Sequence, residues 1–188
     1  MKKLLLVAVM VLTSAMTFAQ QKEGTLTIQP KVGLNIASLT DYDDSDPRFG
    51  VVAGAEFMYQ ATDMVGLSFG ALYSMQGAKY DKATTKLDYI NVPILANVYV
   101  APGFAVKLGL QPGFNVNSKV KAKSNGVSAE ADLDDVKTVD LSIPIGLSYE
   151  FNNFVIDGRY NWGVTKVAKD GDSKNSVFQI TLGYKLPL

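Results

Sequence analysis

The chain has 188 residues, with 18 basic and 18 acidic side chains and neither cysteine nor histidine. Without cysteine there are no disulfides or thiolate metal sites, and without histidine the commonest general base and metal ligand is missing. A formal net charge of zero gives no electrostatic reason for binding nucleic acid.

Residues 1–19 predict a secretory signal peptide. Lys2 and Lys3 supply the positive start, residues 4–12 the apolar stretch, and Thr17-Phe18-Ala19 a small-residue cleavage site. A membrane-spanning helix needs roughly 20 apolar residues, and Thr13 and Ser14 interrupt this run well short of that. Cleavage after Ala19 leaves residues 20–188, with 16 basic against 18 acidic side chains. That is the length of one domain.

The rest alternates apolar and polar residues with a period of two, as strands do. In the first stretch Leu26, Ile28, Val32, Leu34 and Ile36 oppose Thr27, Gln29, Lys31, Gly33 and Asn35. The second sets Phe49, Val51, Ala53, Ala55, Phe57 and Tyr59 against Gly50, Gly54 and Glu56. The third sets Val65, Leu67, Phe69, Ala71 and Tyr73 against Gly66, Ser68, Gly70 and Ser74. In the fourth, Ile90, Val92, Ile94, Ala96 and Val98 oppose Asn91, Pro93, Asn97 and Tyr99.

The fifth opposes Val106, Leu108, Leu110, Phe114 and Val116 to Lys107, Gly109, Gln111 and Asn115. The sixth opposes Val139, Leu141, Ile143, Ile145, Leu147 and Tyr149 to Asp140, Ser142, Gly146 and Glu150. Phe154, Ile156, Tyr160 and Trp162 then oppose Asp157, Arg159 and Asn161; Phe178, Ile180, Leu182 and Tyr184 oppose Gln179, Thr181, Gly183 and Lys185. Each stretch reaches the ~9–11 residues of a tilted membrane strand.

Connectors alternate between tight (60–63, 101–104, 151–153) and long and polar (40–48, 77–86, 118–137, 165–175). With eight strands, the tight turns and both termini fall on one side. The pattern predicts an all-β fold, an eight-stranded antiparallel up-and-down transmembrane β-barrel. In the longest connector Asn125-Gly126 suits a two-residue type I′ turn. Folding back around it sets Lys121 opposite Glu130 and Lys119 opposite Asp132, and continues to Gly109 opposite Ser142. This predicts a charged hairpin standing outside the membrane.

Alternation alone does not say which face is inside, since a soluble lipocalin-like barrel turns its apolar face inward. Here the polar face is rich in Gly, Ser, Asn and Gln, which suit a crowded lumen. The apolar face carries Phe49, Tyr59, Tyr73, Tyr149, Phe154, Trp162 and Tyr184 towards strand ends, as interface girdles do. The inward charges are then Lys31, Lys107, Arg159 and Lys185 against Glu56, Asp140, Glu150 and Asp157. Confined charges must pair or stay hydrated, so these eight predict a neutral ion-pair network plugging the lumen.

Pro30, Pro93, Pro112 and Pro144 fall inside predicted strands, where each removes a ladder donor, so bulges or local gaps are expected there. Asp41, Asp43, Asp44 and Asp46 cluster in the first long connector, and Asp170 with Asp172 in the last. Neither run has the glycine and distal glutamate of an EF-hand, which favours solvated loop charge over calcium binding. No metal and no cofactor are expected. Trp162 and the tyrosines read as interface anchors, and the glycines fall on strand faces rather than in a nucleotide-binding loop.

Four stretches resemble the PorT-like outer-membrane β-barrel family of Bacteroidetes. They are Val32-Gly33-Leu34-Asn35-Ile36-Ala37-Ser38, Tyr89-Ile90-Asn91-Val92-Pro93-Ile94-Leu95, Gly146-Leu147-Ser148-Tyr149-Glu150-Phe151 and Gln179-Ile180-Thr181-Leu182-Gly183-Tyr184-Lys185. The motifs are loose and describe a barrel rather than a site, so no functional residue is carried over. The resemblance implies an outer-membrane protein, some relatives being linked to protein secretion. It also implies a closing aromatic residue, where this chain has Leu186-Pro187-Leu188 after Tyr184.

The expectation is therefore a non-enzymatic integral outer-membrane protein, structural or partner-binding through its extracellular loops. Its partners would be outer-membrane lipid and an envelope or secretion protein. The alternatives are a component of a secretion or transport assembly and, less favoured, an outer-membrane hydrolase using Asp157 or Glu56.

Overall fold

The structure, a computed structural model, describes residues 22–40, 46–80, 83–124, 127–133, 135–169 and 171–188. The expected leader, Asp41, Asp43, Asp44, the Asn125-Gly126 turn and Asp170 lie outside the described residues. Among those described, the elements are β1 (Leu26–Leu39), β2 (Asp46–Gln60), β3 (Val65–Lys79), β4 (Ala83–Asn91), β5 (Ile94–Ala101) and β6 (Phe104–Ser124), then β7 (Val127–Asp132), β8 (Val139–Phe151), β9 (Phe154–Gly163), β10 (Asn175–Tyr184) and β11 (Leu186–Pro187), with no helix.

All pairings are antiparallel. β4 and β5 continue one another as one stave between β3 and β6. β11 extends β10 along β1. Because β1 pairs with both β2 and β10, the sheet closes on itself into an eight-stranded barrel. Closure removes the free edges that an open sheet would present.

The face assignment holds. Thr27, Gln29, Lys31 and Asn35 of β1 are buried, while Val32 and Leu34 are 57% and 59% exposed. The same alternation runs through β9, where Asp157, Arg159 and Asn161 are buried and Ile156, Tyr160 and Trp162 exposed. Phe49, Tyr59, Tyr73, Phe154, Trp162 and Tyr184 are all outward and exposed. Phe154 and Tyr184 pack edge to face across the β9–β10 ladder, with ring centroids 5.0 Å apart.

The four strand prolines meet gaps in the ladders, not bulges. Pro30 pairs in register with Ala55 of β2, but on its other side pairing lapses between Ile28↔Leu186 and Lys31↔Gly183. Pro93 separates β4 from β5, and Pro112 lies in the same interruption, between Asn91↔Gly113 and Ile94↔Leu110. There the Val92 amide still donates to the Pro112 carbonyl at 2.8 Å. Pro144 falls where β6 and β8 part, between Leu108↔Ile145 and Gln111↔Ser142. Each proline is thus turned so that its missing donor coincides with a break already made.

Two sequence expectations fail. The connector at residues 77–86 is mostly ladder: β3 and β4 pair out to Lys79↔Thr84. Gly77, at φ 119° and opposite Lys86, sits within this ladder at a position that excludes a side chain, since a Cβ there would meet the Thr85 carbonyl oxygen at 2.2 Å. The glycine that opens this connector in the sequence is a strand residue where the backbone of the neighbouring strand comes close.

The long hairpin pairs Lys121 with Glu130 and Lys119 with Asp132, as the charge pattern requires. Below it, however, the register slips by two residues. Gln111 rather than Gly109 faces Ser142, because the segment between β7 and β8 leaves the ladder, where Val136 bridges Ala168. A slip of two preserves the phase, so no side chain changes face.

Above the barrel, Glu130 accepts a hydrogen bond from Lys86 Nζ at 2.6 Å, and Lys121 Nζ lies 3.9 Å away. The Lys86 hydrogen bond and charge hold the Glu130 carboxyl below its ordinary value. An NMR titration should therefore place its midpoint below the ~4.3 of a free glutamate. Lys86→Met should return it towards that value, and an unchanged midpoint would show that the contact does not persist in solution.

Candidate functional site in the lumen

Inside the barrel, residues far apart in sequence meet at one level. Lys31 Nζ lies 2.7 Å from Glu56 Oε2 and 3.2 Å from Asp157 Oδ2. Lys107 Nζ also contacts Asp157 Oδ2. Arg159 donates through Nε to Asp157 Oδ1 at 2.9 Å and through Nη2 to Oδ2 at 2.8 Å, while Nη2 stands 3.0 Å from Glu56 Oε1. Lys31, Glu56, Lys107, Asp157 and Arg159 are all buried, with Asp157 at 0% and Arg159 at 1% exposure.

Small residues make room for these long side chains. Gly146 lies opposite both Lys107 and Arg159, and a Cβ there would stand 2.7 Å from Arg159 Cβ. Gly70 lies opposite Glu56, where a Cβ would meet the glutamate Cγ at 2.9 Å.

The other three expected members stand apart from this cluster. Lys185 pairs with Glu150 at the short-turn end. There Tyr99 donates its hydroxyl to Glu150 Oε1 at 2.7 Å, and the lysine lies 5.9 Å from the Tyr99 ring centroid. Asp140 has no ion-pair partner among the described residues; it accepts a hydrogen bond from Thr165 Oγ1 at 2.7 Å. One buried ion pair was missed in the sequence. Arg48 lies 3.7 Å from Asp88, which also accepts hydrogen bonds from Tyr73 at 3.0 Å and Asn117 at 2.8 Å.

The long-connector end is covered by an apolar cluster of Leu39, Ala78, Leu87, Tyr89 and Val167, with Tyr80 and Val136 against it. Val167 comes from the β9–β10 connector. Its amide donates to the Ser173 carbonyl and its carbonyl accepts from the Lys137 amide, each at 2.8 Å. Ion cluster and apolar cover obstruct the narrow interior of an eight-stranded barrel, although buried polar atoms such as Gln111 Oε1 and Ser148 Oγ have no hydrogen-bond partner there among the described residues.

A closed barrel with charge inside, an apolar band outside and aromatic residues towards both rims is a transmembrane β-barrel. The chain belongs to the outer membrane protein beta-barrel domain family, which matches residues 18–169. It is thus an outer-membrane protein. Among solved structures it is similar to Ail, the attachment invasion locus protein of Yersinia pestis, at 19% identity and TM-score 0.54 over 87% of this chain and 99% of that one. It is similar also to Neisserial surface protein A, at 18% identity and TM-score 0.56 over 87% of this chain and 100% of that one. At such identities these likenesses speak for the fold alone. No curated protein matches the sequence.

Proposed function

We propose that this is a non-enzymatic, non-conducting outer-membrane barrel, exported through a leader cleaved after Ala19, that engages an envelope partner through its extracellular β6–β7 hairpin. One contrast carries the reading: the lumen is crossed by an ion-pair cluster and covered at one end by apolar side chains, while β6 runs for 21 residues and rises with β7 beyond the barrel. An enzyme on lipid or peptide would need Asp157 or Glu56 within reach of substrate. Both are buried and engaged by cations. A place in a secretion assembly, which the PorT-like resemblance implies, would use the same external elements.

The expected result is that a variant with residues 119–132 replaced by a short turn still refolds, with its gel mobility still shifted by heating. Photo-cross-linking in intact cells should then lose a partner that the wild type captures. In planar bilayers the wild type should show no steady conductance. An open-pore conductance, or a partner retained without the hairpin, would sink this reading.

A further inference from the structure

We propose that the lumen holds a binding site for one small monovalent anion, chloride in an outer-membrane setting, between Arg159 Nη1 and Gln179 Nε2. The connected cluster is unbalanced, with Lys31, Lys107 and Arg159 against Glu56 and Asp157. The remaining inward charges do not correct it. Lys185 is taken by Glu150 and Arg48 by Asp88, and Asp140 makes no ion pair with the cluster among the described residues. An uncompensated buried charge is strongly disfavoured in a low-dielectric interior.

Among the buried donors left without a hydrogen-bond partner, which also include Gln29 Nε2, two stand opposite one another across a ladder beside the cluster and mark where the compensating charge belongs. Arg159 uses Nε and Nη2 on carboxylates, yet its buried Nη1 has no hydrogen-bond partner. Gln179 faces Arg159 directly across the β9–β10 ladder, is fully buried, and its Nε2 has no partner either. The Gln179 amide is oriented by Asn161, whose Nδ2 donates to Gln179 Oε1 at 3.5 Å. Two unused N–H donors therefore lie on adjacent strands, beside a cluster with one positive charge in excess. Neither group can accept a hydrogen bond through those atoms, so the pair selects an anion. The narrow interior limits it to the size of a halide.

The test follows thermal unfolding of the full barrel refolded in lipid vesicles, at fixed pH and ionic strength, as chloride or bromide replaces gluconate. The melting temperature should rise by roughly 3–6 °C for each tenfold increase in halide above its Kd. Gln179→Glu supplies a fixed negative charge at the site and should abolish the response. Gln179→Leu, the second variant should the first not refold, removes one donor and should demand about tenfold more halide or beyond. Crystals soaked in bromide should show an anomalous peak in contact with both nitrogens. A wild-type melt indifferent to halide, a response intact in both variants, or no bromide between these nitrogens would overturn the proposal.

Discussion

Asp157→Ala is expected to cost the barrel about 3–5 kcal/mol, the usual penalty for stripping one partner from a buried charged cluster. Asp157 is the shared acceptor of Lys31, Lys107 and Arg159. Removing it raises the positive excess of the cluster from one to two. Asp157→Asn keeps the shape but loses the charge, so it should lose nearly as much. The double variant Asp157→Leu with Arg159→Leu returns the excess to one and replaces the pair with apolar volume. It should therefore cost less than Asp157→Leu and Arg159→Leu added together, with a coupling of at least about 1 kcal/mol. Urea unfolding followed by the fluorescence of Trp162, the single tryptophan, measures each of these variants. A cost below ~1 kcal/mol for Asp157→Ala would mean that water, rather than this carboxylate, solvates the cations.

The alternation made the two faces legible, and β1 spans the stretch it marked, from Leu26 to Leu39. It could not give height. Which inward charges meet depends on how each strand is staggered against the next, and that stagger is a property of barrel closure. Lys107 and Arg159 converge on Asp157 because both lie opposite Gly146. Asp140 lies six residues from Gly146 along the same face of β8, roughly 20 Å away, so it cannot join them.

Arg48 and Asp88 escaped notice for a different reason. Each adjoins a break in register, between Pro47 and Val52 in one ladder and between Asp88 and Tyr89 in the other. Such breaks reset the period of two, and a pattern read strictly by alternation loses its phase there. The two-residue slip between hairpin and barrel was hidden because an even offset leaves the polarity pattern unchanged.

Val32→Arg should cost about 2–4 kcal/mol, whereas Phe49→Arg should cost no more than ~1 kcal/mol, although both residues face outward and both are exposed. Val32 adjoins Lys31, pairs across with Ala53 and Leu182, and so sits at the level of the ion cluster. With Leu34, Ile36, Ile156 and Ile180 it lines an apolar groove of about 470 Å³ that acyl chains would fill; Phe49 also borders this groove, but on its other side it borders a cleft with Asp46, Lys79 and Thr84. A guanidinium there has no polar partner within the hydrocarbon. At the rim, where Phe49 sits, arginine reaches the headgroups and their water. The contrast isolates depth from exposure. In a barrel surrounded by water both substitutions would lie at a solvated surface and cost little. In a bilayer only the rim position is tolerated, because the penalty tracks distance from the interface. Urea unfolding of the two variants in the same vesicles reads this difference directly, and equal costs would remove the lipid from the argument for this face.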